Sequence, residues 1–203
     1  MLDRRSVFRS FVAAPAALFL AGRNFSAADS RSCAPTQPDI KGPFYVPGAP
    51  RRLEVAGANE PGERIAIRGR VFSGDCTTPL AGALLDVWQA DAKGEYHGKD
   101  EQYRLRGQVL TGPDGTYEFH SVKPGNYKQA NGWRPAHIHF TISGPGHAPV
   151  TTQLYFRGDP YLSPHDSCGS ECHSDDAARI VALEPAGASK SARFDVVLKP
   201  SRA

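Results

Sequence analysis

The first sustained pattern along the chain begins at Arg64, where Ile65, Ile67 and Val71 alternate with Arg64, Arg68 and Arg70. Alternation of this kind puts apolar side chains on one face and charged ones on the other, as a half-buried strand requires, and Ser73-Gly74-Asp75 ends it as a turn. Comparable runs predict strands over 83–89, 105–110, 116–119, 137–142, 151–156 and 193–198. Gly112-Pro113-Asp114-Gly115 and Lys123-Pro124-Gly125 supply turn chemistry between them. Only 174–183 reads as helix, with Ser174 as N-cap and Asp175 and Asp176 in its first turn. Short strands at this spacing predict an all-β fold, an antiparallel β-sandwich with one short helix near the C-terminus. Residues 29–63 are rich in Pro, Gly and Arg without a period, and predict an extended arm across the surface of a single domain over 64–203.

Composition adds exclusions. With 20 Gly and 17 Pro in 203 residues, the chain is too finely punctuated for a helical bundle. It is also too long for a miniprotein held by disulfides alone, since a domain of about 175 residues buries roughly 70% of its unfolded surface. Residues 1–28 read as an export signal: Arg4-Arg5 precedes an apolar stretch from Phe11 to Leu20, and Ser26-Ala27-Ala28 offers a small-residue cleavage site. The arrangement resembles a twin-arginine signal, with an ordinary secretory signal as the alternative. The apolar run is too short for a stable membrane anchor. Arg4, Arg5, Arg9 and Arg23 against Asp3 account for the whole formal charge of +3, so the remainder is neutral and carries no basic stripe for nucleic acid. A periplasmic or secreted location is expected.

Export makes Cys33, Cys76, Cys168 and Cys172 disulfide candidates, and the most economical pairing joins Cys168 to Cys172 and Cys33 to Cys76. The competing reading is a zinc cluster of His165, Cys168, Cys172 and His173.

The densest chemistry lies in Trp133-Arg134-Pro135-Ala136-His137-Ile138-His139-Phe140. On a strand, residues i and i+2 share a face, so His137 and His139 present two imidazoles to one point, a geometry that suits a metal. A bare His-x-His also fits a polar strand face, a zinc hydrolase or a cupin-like iron site. Tyr96 and Tyr127 each follow a glycine turn.

Together with these, Gly42-Pro43-Phe44-Tyr45-Val46-Pro47, Asp86-Val87-Trp88-Gln89-Ala90 leading to Gly94-Glu95-Tyr96, and Pro124-Gly125-Asn126-Tyr127 stand in one order from about Gly42 to Phe156. In this the chain resembles the intradiol ring-cleavage dioxygenases, the protocatechuate 3,4-dioxygenase β-chain branch in particular. The resemblance implies one non-heme iron(III) held by Tyr96, Tyr127, His137 and His139. It implies cleavage of catechol-type rings between the two hydroxylated carbons with O2, giving cis,cis-muconate-type diacids. Tyr127 would be the ligand the catechol displaces, Arg134 would stabilise charge on the ring carbon under attack, and Gln153 would neighbour Arg134. Tyr45, Trp133 and Lys128 are expected at the substrate pocket. The chain departs from that branch at Lys128-Gln129, where a Pro-Trp pair is usual, and in the ten residues from Tyr127 to His137. Two other readings are carried forward: a secreted, non-catalytic β-sandwich binding module, and a zinc-dependent hydrolase using His137 and His139. A homo-oligomer and a monomer are both compatible with the expected fold.

Overall fold

The computed structural model describes residues 33–98 and 102–202. The export signal expected over 1–28 lies outside the described residues. Twelve strands are present among those described, in chain order β1 (Arg64–Ser73), β2 (Leu84–Gln89), β3 (Arg106–Leu110), β4 (Thr116–Val122), β5 (Tyr127–Gln129), β6 (Gly132–Arg134), β7 (His137–Ser143), β8 (Val150–Phe156), β9 (Ile180–Val181), β10 (Glu184–Ala186), β11 (Ser189–Arg193) and β12 (Val196–Leu198). One sheet pairs β1 with β4 on one side and with β11 and β12 on the other, and β10 extends it beyond β11. The second runs β3-β2-β7-β8-β9, and β5 with β6 forms a separate hairpin.

Alternation drives the packing. Ile65, Ile67 and Val71 of β1 and Phe119 of β4 face Leu85, Val87, Ile138, Phe140 and Leu154 of the second sheet in one continuous core, and Phe119 meets Phe140 edge-on with centroids 6.0 Å apart. Each such side chain contributes about 1.5–3 kcal/mol on burial. The second sheet is covered on both faces. Its other face carries Arg106, Trp88, His139 and Gln153 in one row across β3, β2, β7 and β8, because directly paired residues share a face. The arm lies over the second sheet and is pinned along its length: Cys33 is bonded to Cys76, Thr36 pairs with Val197, Asp39 with Thr151, and Arg52 with Gln108. It contributes Val55 and Ala56 to the interior and does not merely cross the surface.

Three expectations are corrected. The sheets are mixed, since β1–β11, β1–β12 and β8–β9 run parallel. The window 174–183 holds a single 3-10 turn at Ala177–Arg179 capped by Asp176, whose carboxylate accepts from Ala178 N. The helix stops there because the Arg179 side chain is drawn into an ion pair with Asp39, while the β-branched Ile180 and Val181 pair with β8. The Ser174 hydroxyl accepts from Ser163 N instead of capping a helix. Finally, the strand expected over 193–198 is split at Phe194-Asp195. There the Tyr117 hydroxyl donates to the Phe194 carbonyl, and Arg70 N donates to the Asp195 carboxylate.

Gly69 sits at that split. A Cβ there would stand 1.9 Å from the Phe194 carbonyl oxygen, a backbone atom with no freedom to move aside. Gly69→Ala is expected to cost about 3 kcal/mol or more, read as a loss of urea midpoint. A change within about 0.5 kcal/mol would show that β1 and the last strands can separate there.

Candidate metal centre

The row on the outer face of the second sheet forms the floor of a donor cluster. His137 and His139 alternate with core residues Ile138 and Phe140 on β7, so both imidazoles leave the core together, with their Nε2 atoms 3.2 Å apart. The Tyr96 hydroxyl lies 3.2 Å from His137 Nε2 and 3.0 Å from His139 Nε2. A point equidistant from the three atoms is about 1.8 Å from each, close to the metal–nitrogen distance of roughly 2 Å.

Proton counting points the same way. His137 Nδ1 lies 2.7 Å from the Pro135 carbonyl and donates to it, leaving a lone pair on its Nε2. The His137 lone pair then points into the triangle, and His139 adds a second when its proton sits on Nδ1, an arrangement a cation at the centre satisfies. Burial first, then Arg134, lowers the His137 pKa to about 3, and burial together with His137 holds His139 well below its ordinary value. Both rings are therefore neutral, the form that ligates metal.

Two loops deliver the tyrosines. Asp91 organises the first: its carboxylate accepts from Lys93 N at 2.9 Å and Glu95 N at 3.0 Å and meets His97 Nε2 at 3.1 Å. Gly125 N donates to the Asp91 carbonyl across the gap to the second loop. The two backbones approach so closely that a Cβ on Gly94 would lie 2.2 Å from Asn126 O, and one on Gly125 would lie 2.5 Å from Ala92 O. This contact brings the Tyr96 and Tyr127 rings together edge-on at 5.5 Å, with Tyr127 5.6 Å from the His137 ring. Burial raises the Tyr96 hydroxyl far above its usual pKa, with Tyr127 adding to it, and burial raises Tyr127 against the opposing pull of Arg134. Without a cation both phenols hold their protons.

Phe44 of the arm stacks on Tyr96 at 4.2 Å, and Trp88 stacks on His139 at 4.8 Å. Arg134, fully buried, stands opposite Tyr127 in the β5–β6 hairpin, hydrogen-bonds its side chain and donates to Gln153 Oε1 at 2.9 Å. Tyr96, Tyr127, His137, His139, Arg134 and Gln153 are thus brought to one place. Among the described residues no cluster of three or more His, Cys, Asp or Glu side chains forms, so the two histidines draw their further donors from tyrosine.

Of the residues expected at the substrate pocket, two lie on the hairpin's other face and one packs against Trp88. Lys128 and Trp133 are paired opposite each other in the hairpin, one position from Tyr127 and Arg134, and so occupy its other face. Trp133 stacks on Tyr161 and is 39% exposed. Tyr45 packs edge-on to Trp88 behind His139 and donates to Asp86 at 2.8 Å; burial and Asp86 push its pKa up to about 12. The expected disulfides Cys33–Cys76 and Cys168–Cys172 are both formed, and the second consumes the thiols that a zinc cluster with His165 and His173 would need. Asp166, Arg106 and Phe44 were not singled out from the sequence. Phe44 lay within a quoted motif, whereas Asp166 carries no local signal beyond its place two residues before a cysteine.

Among similar proteins, a chlorocatechol 1,2-dioxygenase of Rhodococcus opacus is 38% identical over 159 residues, 66% of this chain and 61% of that protein. A protocatechuate 3,4-dioxygenase beta chain of Burkholderia cepacia is 39% identical over 114 residues, 50% of this chain and 48% of that one. The chain spans about half to six-tenths of the length of these curated relatives. The solved dioxygenase domain of a dioxygenase–carbohydrate-binding protein fusion from Streptomyces sp. SirexAA-E superposes with a TM-score of 0.69 at 33% identity, covering 82% of this chain and 99% of that one. Residues 40–200 match the family model Dioxygenase_C, described as dioxygenase, and the chain belongs to that family.

Proposed function

We propose that the protein is a non-heme iron(III) dioxygenase that cleaves catechol-type rings between the two hydroxylated carbons, both atoms of O2 entering a cis,cis-muconate-type diacid. The observation that carries this reading is the triangle of Tyr96 Oη, His137 Nε2 and His139 Nε2, with edges of 3.0 to 3.2 Å and Tyr127 beside it. Tyr96, Tyr127, His137 and His139 would hold the ion. Two phenols that ionise only against strong positive charge, with two neutral imidazoles, match a hard trivalent metal better than zinc, which favours nitrogen and sulfur. When bound, the metal supplies the charge that keeps the phenolates ionised and activates a chelated catecholate toward dioxygen.

The chain's own groups account for the rest. Tyr127, the less deeply buried phenol, would accept a substrate proton at its Oη, and the Arg134 side chain that faces it would steady that oxygen. Arg134, immobilised by Gln153, stabilises negative charge developing on the substrate ring. Phe44 over Tyr96 and Trp88 over His139 keep water from the ligand side. An exported location is part of the same proposal, supported by the leader-like segment 1–28 and by the two disulfides, which suit an oxidising compartment.

A visible spectrum of the purified protein with total metal analysis tests the assignment. One iron per chain and a strong phenolate-to-iron absorption that shifts on anaerobic addition of catechol are expected; a colourless protein after iron reconstitution would sink the reading. Tyr127→Phe is expected to retain iron, shift the band and lower kcat about 10²-fold or more. Tyr96→Phe should weaken iron retention, and His137→Ala should release the metal. Gly125→Ala, which touches no donor, is expected to lower iron content by driving the two tyrosine loops apart; full occupancy with an unshifted band would show that their contact is not what sets the tyrosines.

A further inference from the structure

Arg134 is only 1% exposed, and a guanidinium so far from water needs both a counter-charge and hydrogen bonds to hold a single orientation. Among the described residues its ion-pair partner is Asp166, whose Oδ1 lies 2.8 Å from Arg134 Nε and whose side chain is 2% exposed. Gln153 takes the other edge of the fork at Nη2. The guanidinium is held by a charge contact at Nε and a hydrogen bond at Nη2.

Both contacts lead to the same short segment. Asp166 is held from its own loop, its Oδ1 accepting from Cys168 N at 3.0 Å and its carbonyl from Gly169 N at 3.0 Å. Ser167 N ties that loop to the strand bearing Arg134 by donating to the Trp133 carbonyl. On the far side of the loop, His173 N donates to Asp39 Oδ2, the Tyr155 hydroxyl bridges Asp39 and Gln153 Oε1 at 2.9 Å each, and Gln153 returns to Arg134. The Cys168–Cys172 disulfide closes the four-residue separation between these two anchors. Inside it runs only the 3-10 turn Gly169–Glu171, which has no side-chain cap and no buried residue. The covalent bridge fixes the two ends of the loop relative to each other, beside Arg179, which donates to the His173 carbonyl and pairs with Asp39.

We propose that Asp166, set by the Cys168–Cys172 loop, is a positioning residue for Arg134, and that turnover depends on this loop although it touches neither metal ligands nor substrate. The proposal rests on the iron dioxygenase reading, in which Arg134 stabilises charge on the substrate. It makes the second disulfide a part of the catalytic scaffold, whereas the first only anchors the arm.

The test uses the full chain as purified, comparing Asp166→Asn, the double variant Cys168→Ser/Cys172→Ser, and Cys33→Ser/Cys76→Ser as control. Asp166→Asn is expected to lower kcat for catechol about 30-fold, part of the 10²–10³ that losing an oriented charge stabiliser costs, with KM and iron content nearly unchanged and the visible band shifted through Tyr127. The Cys168/Cys172 variant is expected to follow it with a roughly five- to tenfold loss, and the Cys33/Cys76 variant to lose thermal stability but not kcat. In a crystal structure of Asp166→Asn, the Arg134 guanidinium is expected to have left Gln153 Oε1. Unchanged kcat in both the Asp166 and Cys168/Cys172 variants overturns the proposal, as does Arg134 in its original place in that crystal structure. If Asp166→Asn does not fold, the Cys168/Cys172 variant decides. A wild-type protein without iron absorption or ring cleavage defeats the functional reading instead, and the position of Arg134 still decides the positioning claim.

Discussion

Two imidazole Nε2 atoms and a phenolic oxygen, held within 3.2 Å of each other, are the constraint around which the rest of the molecule is arranged. An arrangement of this kind is unfavourable in an apolar interior unless a cation occupies it or the surrounding structure forces it. The surrounding structure does force it. β7 is a central strand, paired on both sides, so the two histidines cannot move apart without breaking ladders to β2 and β8. The tyrosine loops are locked to one another by glycine backbones in direct contact. Rigidity on this scale is the usual condition for a metal site that keeps its geometry when empty or when one ligand is displaced.

The two sheets divide the work. Their facing sides make the core, from Ile65 and Phe119 to Phe140 and Leu154, and supply the stability. The outer side of the second sheet, which in a simple antiparallel sandwich would meet water, carries the row Arg106, Trp88, His139 and Gln153 and is covered by the arm and loops. This second burial is why β7 and β8 read as almost uniformly buried, and why the arm has to be fastened by a disulfide and by pairing to β8 and β12. A 43-residue separation closed by Cys33–Cys76 is worth about 4 kcal/mol on chain-entropy grounds.

What could be read in the sequence follows from which forces are local. Period-two alternation marked the long strands near their observed bounds, and the same rule put His137 and His139 on one face. The tyrosines carried no such signal. Their meeting depends on backbone contact between Gly94 and Asn126 and between Gly125 and Ala92, and only the ordered motifs of a known family identified Tyr96 and Tyr127. Parallel pairing of β1 with β11 and β12 joins residues about 125 positions apart and leaves no trace in a local window. The segment 174–183 misled because its cap is Asp176 on a single 3-10 turn and not Ser174 on a helix, and Arg179 is recruited by a distant Asp39 against helix propensity. Lys128 pairs with Trp133 one position from Tyr127 and Arg134, so both lie on the hairpin's other face, a consequence of pairing register that no single residue announces.

Three arginines that are almost wholly buried, Arg106, Arg134 and Arg179, surround a site that is to receive a cation, an apparent contradiction in charge. It resolves when the protonation states are considered together. Arg134 and Arg106 both pull the Tyr96 hydroxyl down toward ionisation, Arg134 does the same for Tyr127, and the same two arginines disfavour a proton on His139. Positive charge fixed in the walls thus favours phenolate over phenol and imidazole over imidazolium, which is the donor set a highly charged metal needs. Their own burial is compensated outside the ligand sphere, Arg134 by Asp166 and Arg179 by Asp39 and Asp176. Repulsion between these guanidiniums and a bound cation would be the cost, and ionised phenolates between them would offset it. The field of the walls thereby favours the ionised donor set over the protonated one, before any cation is bound.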